Sequence, residues 1–380
     1  MAHYSTAAWP TAVIDPHMHQ WDPCATPRHV SRQARLVRPM SRVPRGMRWL
    51  ARRSDREFIG HPHHVLKPYL PTDYRIDAAE LPVATVVHIE AAWRSRLHIG
   101  SVDETRWVAS LPFGENGSPT LGAVVVNTDP RWPDAATVLD AHLAASPMVR
   151  GVRYSAAHHP DPGVRDFADA PHTLSAAKFL RGFDAVAERG LNFELWLYAH
   201  QLPDATVLVG KFPETTFVLD HYATPVGLFG PRGRRTARTA RERAGMLALW
   251  RDEISTLAAF PNVVAKHSGL GMPLLGSTVR EPIASATLAE VTDMAAPLIR
   301  HLHDSFGPER TMWASNYPID KPVHSIPASA RILTEVLGAD AVPHQLFHDV
   351  ARRTYRLADS PLRARNRRPS VVSNSFREIR

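Results

Sequence analysis

Eight short apolar runs, most of them followed by a stretch with helical spacing, leave this chain few folds to choose from. The runs are Ala12–Ile14, Ala84–Ile89, Leu121–Val126, Val149–Tyr154, Phe193–Tyr198, Thr216–Leu219, Val263–Lys266 and Thr311–Ala314. Most are rich in Val, Ile, Leu or aromatic residues, as strands buried on both faces are. Helical spacing appears in Pro133–Ala145, Ser175–Arg189, Ala240–Phe260, Leu288–Phe306 and Ser329–Leu337. Strand–helix alternation predicts a parallel α/β sheet, and eight rounds of it predict a (β/α)8 TIM barrel. Neither a repeat nor a low-complexity linker divides the 380 residues. One domain is therefore expected over 1–360, with a basic, flexible tail over 361–380.

Two stretches fall outside the alternation. Residues 23–81 form a long insertion after strand 1, and Gly227–Arg243 form a Gly/Arg-rich insertion after strand 6. Both follow the carboxyl end of a strand, the face on which barrel enzymes build their sites. Within the first insertion, the stretch from Arg28 to Arg56 holds ten arginines and a single acid, Asp55. That segment carries +9 of a net +8, so the rest of the chain is close to neutral. Pro39 and Pro44 prevent it from being one long helix. A solvated surface, a nucleic-acid patch and a device that steers an anionic substrate would all account for the charge. No nucleic-acid motif accompanies it, so the expected partner is a small anionic molecule.

Other functions are excluded more simply. No apolar run is long enough to span a membrane, and the N-terminus lacks the pattern of a signal peptide. A single cysteine, Cys24, allows neither an internal disulfide nor a cysteine-based zinc site, which fits a reducing cytoplasm. Homo-oligomerisation is left open.

Polar residues gather where the apolar runs end. Strand 1 ends in "VIDPHMHQWDP", with His17 and His19 two residues apart. Residues i and i+2 of an extended chain point to one side, so both imidazoles face the same way. Alone the pair is a weak signal in a chain with 21 histidines. Strand 2 adds His88 and Glu90. Strand 4 adds Arg153 and Tyr154, then His158 and His159. Strand 5 adds His200, and strand 6 adds Asp220 and His221. Strand 7 adds Lys266, His267 and Ser268, and strand 8 adds Ser315, Asn316 and Asp320. Titratable groups at nearly every strand end would converge on one mouth, which predicts an enzyme.

The motifs "VIDPHMHQWDP", "VVHIEAAW", "GVRYS", "NFELWLYAHQLPDATVLVGKFPETTFVLDHYATP", "NVVAKHSGLG" and "MWASNYPIDK" occur in the order seen in the amidohydrolase superfamily. More narrowly, the chain resembles the amidohydrolase 2 branch, which holds sugar lactonases and pyrone-dicarboxylate lactonase. The resemblance runs from about residue 12 to 358. It includes "LFHDVARRTYRL", where Asp349 stands in place of the branch's usual Asn. Decarboxylases and hydratases share the branch.

The resemblance implies a metal or carbonyl site at His17, His19 and His200, with His221 at the strand-six position. Asn316 falls where the branch has the aspartate that activates water, with or without a divalent metal. An amide cannot take that proton. Asp320 could substitute only if its loop folded back.

The expected activity is therefore hydrolysis of a lactone or related ester or amide, with His200, His221, Asn316 and Asp320 as catalytic residues. Arg153, Tyr154, His88, Glu90 and His158 are the expected substrate contacts. The base would be His221, Glu90 or Asp320, and Arg153 would stabilise the oxyanion. A nitrogen-rich donor set without thiolates favours zinc, then manganese; a metal-independent mechanism is the other route. Two further readings are a non-oxidative decarboxylase and a silent ligand-binding barrel. The histidines of "GHPHH", within residues 61–64, are expected to lie in a surface loop. Trp9, Trp21, Trp93 and Trp196 are expected to pack.

Overall fold

The computed structural model describes residues 9–44, 46, 49, 51–60, 62–276, 285–338 and 344–358. The expected tail over 361–380, the domain boundary at 360, His61, Arg45 and Arg48 lie outside the described residues. Each apolar run holds a strand: β1 (Val13–Met18), β2 (Val83–Ile89), β3 (Thr120–Asn127), β4 (Val149–Ser155), β5 (Asn192–Trp196), β6 (Phe217–Leu219), β7 (Val263–His267) and β8 (Thr311–Trp313). They form one parallel sheet in sequence order. A parallel bridge between Met18 and Tyr317 joins the two edges. Around it, His19 N–H donates to Tyr317 O (2.8 Å) and Asn316 N–H to His17 O (2.9 Å). The chain is thus a (β/α)8 barrel.

Four of the five helical stretches form single helices: Ala135–Ala145, Ala240–Ala258, Ser285–Phe306 and Ile326–Leu337. The fifth divides into Ala177–Gly182 and Asp184–Ala187. Local signals set the helix starts. Thr239 Oγ1 accepts from Glu242 N–H, and Glu242 Oε2 accepts from Thr239 N–H, so each caps the other. Ser325 Oγ accepts from Ala328 N–H, with Pro327 in the first turn. Among the described residues no helix is long and apolar enough to cross a membrane.

The barrel interior has two layers. Ile14, Val87, Val125, Val218 and Met312 make an apolar layer, which Val350, Ala351, Tyr355 and Leu357 complete. Asn192, the first residue of β5, donates to Thr354 O (2.6 Å), so this closing segment sits at the amino ends of the strands. Above it lies a polar layer that opens toward the carboxyl ends.

Among its described residues, the first insertion contains four short α-helices: Ser31–Val37, Arg53–Ile59, His63–Leu66 and Pro71–Ala78. The second is held by two carboxylates, the first being Glu57, whose Oε2 accepts from Gly233 N–H (2.7 Å). Asp161 accepts hydrogen bonds from the N–H groups of Arg234, Arg235 and Thr236 and from Thr236 Oγ1, at 2.7–3.1 Å.

Candidate active site

The polar layer is built from strand residues whose neighbours point outward. In β5, Phe193 and Leu195 join the core between sheet and helices, so Glu194 points into the barrel. Arg153 is its register partner on β4 and faces the same way. Lys266 on β7 completes the set. Its Nζ lies 2.5 Å from Glu194 Oε2, 3.2 Å from Asp220 Oδ1 and 3.1 Å from His17 Nδ1. Tyr355 OH donates to Glu194 Oε1 from below (2.6 Å). His17, Glu194, Asp220, Lys266 and Tyr355 are fully buried. Burial lifts the Glu194 carboxyl, and the Lys266 ammonium pulls it back.

The neighbours of His17 make opposing demands on Nδ1, because Lys266 Nζ, which only donates, stands 3.1 Å from it. The same Nδ1 stands 3.1 Å from Asp220 Oδ1, which only accepts, and His17 Nε2 stands 3.5 Å from Arg153 Nη1, which only donates. With Nδ1–H donating to Asp220 and a lone pair on Nε2, both of these contacts are satisfied, and the Lys266 protons go to Glu194 and Asp220 instead of Nδ1. His17 stays neutral, because burial and the facing cations Lys266 and Arg153 hold its pKa well below the usual imidazole value. His19 is also neutral; burial lowers its pKa to about 4. Its Nδ1 bonds Ile89 O (2.9 Å), which leaves Nε2 for the cavity.

His221 is placed by a strained turn. His221, Tyr222, Ala223 and Thr224 all have positive φ (54°, 55°, 56° and 39°), a run that β-carbon-bearing residues rarely adopt and that recurs at functional sites. Trp250 Nε1–H donates to Tyr222 O (2.7 Å) and holds the turn. Gly269 makes room for it: a Cβ there would lie 2.5 Å from that of His221. His221 Nδ1 bonds Ser268 Oγ (2.8 Å), and its ring lies 4.5 Å from that of His17. Burial first, then His17, drives its pKa well down.

Asn316 occupies the end of β8 with φ 53°. The following loop does fold back: Asn316 Nδ2 donates to Asp320 Oδ1 (2.8 Å), and Gly271 N–H donates to Oδ2 (3.2 Å). Burial nevertheless raises the Asp320 carboxyl to about 8.

These groups open into a cavity of about 480 Å³. His19, Glu90, Arg153, His221 and Asn316 line its floor, and Trp21, Phe58, Phe167, Trp196 and Met272 its walls. Arg153 Nε is 2.8 Å from Glu90 Oε1. Burial would raise Glu90, but Arg153 and the Ala92 N–H hold its carboxyl below the usual range. Of the arginine-rich segment, Arg28 alone among the described residues lines the cavity, paired at 2.9 Å with Glu104. Arg32, Arg35, Arg38 and Arg42 are exposed.

Four expected site residues are placed elsewhere. The 3-10 turn Ala199–Gln201 carries His200 to the surface, where its ring lies 5.1 Å from that of His159. The metal-type cluster near the cavity is consequently not His17, His19 and His200. It is His17, Asp220 and His221, whose ligand atoms lie within 4.8 Å of one another. Tyr154 alternates outward from Arg153, bonds Arg131 Nη2 (2.8 Å) and packs on Phe179. His158 is half-buried outside the cavity lining. His88 is buried beneath the site, where Gln20 N–H donates to its Nδ1 (3.2 Å). Sequence reasoning did not single out Glu194 or Tyr355, and it placed Lys266 only among the strand-end groups and Arg28 only within the arginine-rich segment. Glu194, the one charged residue of "NFELW", was the available signal.

His17, Asp220 and His221 suit a divalent ion. The imidazoles are neutral, and buried Asp220 Oδ2 lacks a hydrogen-bond partner. Such an ion, when bound, makes water a nucleophile at neutral pH.

A parallel eightfold barrel with histidines, carboxylates and an arginine at the carboxyl ends of its strands defines a class of barrel enzymes that collect catalytic groups from separate strands. The chain belongs to the amidohydrolase family, whose model matches residues 14–357. It is 28% identical over 348 residues to a Sinorhizobium fredii protein, y4mH, covering 91% of this chain and 99% of that one. It is 27% identical over 272 residues to an L-fucono-1,5-lactonase of Burkholderia multivorans, covering 71% and 79%. Among solved structures, a Burkholderia multivorans amidohydrolase with bound zinc has a TM-score of 0.63 at 22% identity, covering 91% of this chain and 100% of the other.

Proposed function

We propose that this amidohydrolase-family enzyme opens the lactone ring of a small anionic molecule by adding water. The observation that carries the reading is the pairing, on one cavity floor, of a neutral imidazole, His221, with the Arg153 guanidinium. The ring carbonyl would rest against Arg153, which favours the charge that develops on oxygen. Water beside His221 gives its proton to the imidazole as its oxygen bonds to carbon. Asp220 is the adjacent counter-charge for the imidazolium. Burial disfavours that cation, so the proton passes on to the departing ring oxygen as the carbon–oxygen bond breaks. Asn316 has its amide nitrogen held by Asp320, which leaves its carbonyl to orient water or substrate. A divalent ion would be held by His17, Asp220 and His221, with zinc as the ion the donors suit. Because Ser268 engages His221 Nδ1, the other ring nitrogen would then be a ligand, and activation of water would fall to the ion rather than to the imidazole. The lactonase relative supports the ring class; the exposed arginines support an anion.

Purified protein should be tested on five- and six-membered sugar-acid lactones and on aromatic acids, following proton release and carbon dioxide together. The expected result is proton release from a lactone, with the rate reduced by roughly 10²–10⁴ in His221→Asn. Carbon dioxide from an aromatic acid would replace this reading with decarboxylation, and binding without turnover would replace it with a silent barrel.

A further inference from the structure

At the amino-terminal end of the barrel, away from the cavity, three ligating side chains meet on the turn that opens the closing segment. Gln345–Asp349 is π-helical, with Val350 N–H donating to Gln345 O five residues back. In an α-helix residue i+4 stands over residue i, and residue i+5 turns away. The wider π turn brings i+5 round as well. His348 and Asp349 therefore both stand beside His344. His344 Nδ1 lies 2.8 Å from Asp349 Oδ2, and His348 Nδ1 lies 2.9 Å from Asp349 Oδ1. The two rings are 4.8 Å apart, and one ligand atom from each residue falls within 4.8 Å of the others. The opposite side of the turn is anchored: Phe347 packs on Trp313 (5.6 Å) and Trp9 (5.9 Å).

We propose that His344, His348 and Asp349 form a second divalent-metal site, suited to zinc, that fixes the π turn from which the closing segment runs into the barrel. Two imidazole nitrogens and a carboxylate oxygen, with one side open to water, make a zinc-type set of three protein ligands and a solvent position. Calcium and magnesium prefer oxygen donors throughout. The site's place gives it a structural role. The segment it opens carries Tyr355 under Glu194 and Leu357 into the barrel floor. π turns are rare and concentrate at functional positions, which a bound ion here explains. The proposal is independent of the lactone reading.

The test uses tag-free full-length protein carrying His17→Ala and His221→Ala, which removes the cavity cluster. Calorimetric titration with Zn²⁺ should show one saturable site, and excess zinc should raise Tm. Adding His344→Ala and His348→Ala should abolish both effects. Asp349→Asn should weaken binding by roughly tenfold or more. If the cavity variant does not fold, His344→Ala/His348→Ala in the wild-type background should lower zinc stoichiometry by one equivalent. The proposal fails if the folded cavity variant binds no zinc saturably, or if zinc binding and Tm ignore His344 and His348.

Discussion

Asn316 meets the cavity with its amide nitrogen tied to Asp320, whose carboxyl burial already holds at about 8. Replacing Asn316 with Asp would set two buried carboxyl groups about 3 Å apart, where both cannot ionise cheaply. The variant should lose Tm above neutral pH, and kcat should stay level or fall. A large rise in kcat would mean that a missing base had been restored and that the natural barrel is catalytically degenerate. The same scale shows what the sequence could and could not tell. His17, His19, Glu90, Arg153, His221 and Asn316 were readable because strand ends in a barrel share one mouth. His200 was misplaced because a 3-10 turn, invisible in the spacing, rotates it outward. Tyr154 was misplaced because adjacent strand residues cannot both face the cavity. Lys266 and Glu194 were missed as a pair because their contact spans 72 residues and depends on register.

At the scale of elements, the strands were legible through their apolar runs, whereas the insertions were not, because turn hydrogen bonds rather than periodicity shape them. Gly227–Arg243 lies outside the cavity lining among the described residues, although its position after β6 suggested otherwise. It is fixed instead by Glu57, which holds Gly233 N–H, and mainly by Asp161, whose carboxyl is held well below its usual range: burial opposes ionisation, but the N–H groups of Arg235, Gly163 and Arg234 outweigh it. Gly233, at φ +56°, is needed beneath it, since a Cβ there would lie 2.4 Å from Asp161 Oδ2. Asp161→Ala should free the loop without disturbing the barrel. Trypsin should then cut after Arg234 or Arg235 much faster than in the wild type, while far-ultraviolet circular dichroism stays unchanged. Equal cleavage rates would show that Asp161 is not what holds the loop.

For the whole molecule, buried titratable groups shape stability against pH from two sides. Burial lowers His19, His142 and His324 to about 4 and His267 to about 3, against 6.5 in the unfolded chain. Below pH 6.5 the unfolded state binds more protons than the folded one, so stability falls as pH drops toward 4. Asp320 acts in the opposite sense. Its carboxyl is near 3.8 unfolded and about 8 folded, so between those values the folded state holds the extra proton. Its contribution is complete below 3.8 and is lost as pH rises to 8. Four histidines outweigh Asp320 and Glu194 below 6.5, and above 6.5 the histidines are neutral in both states. Stability should therefore peak near pH 6.5 and then decline toward pH 8, by about 2 kcal/mol from Asp320 alone and further from Glu194, which burial also lifts to about 8. Urea midpoints taken from pH 4.5 to 8.5 would trace both limbs. In Asp320→Asn the lost Gly271 hydrogen bond lowers the whole curve equally, because an amide does not titrate. The acid limb should remain and the alkaline decline should become shallower without vanishing, because burial also lifts the Glu194 carboxyl to about 8; a variant whose decline above pH 6.5 is unchanged would move that limb away from Asp320.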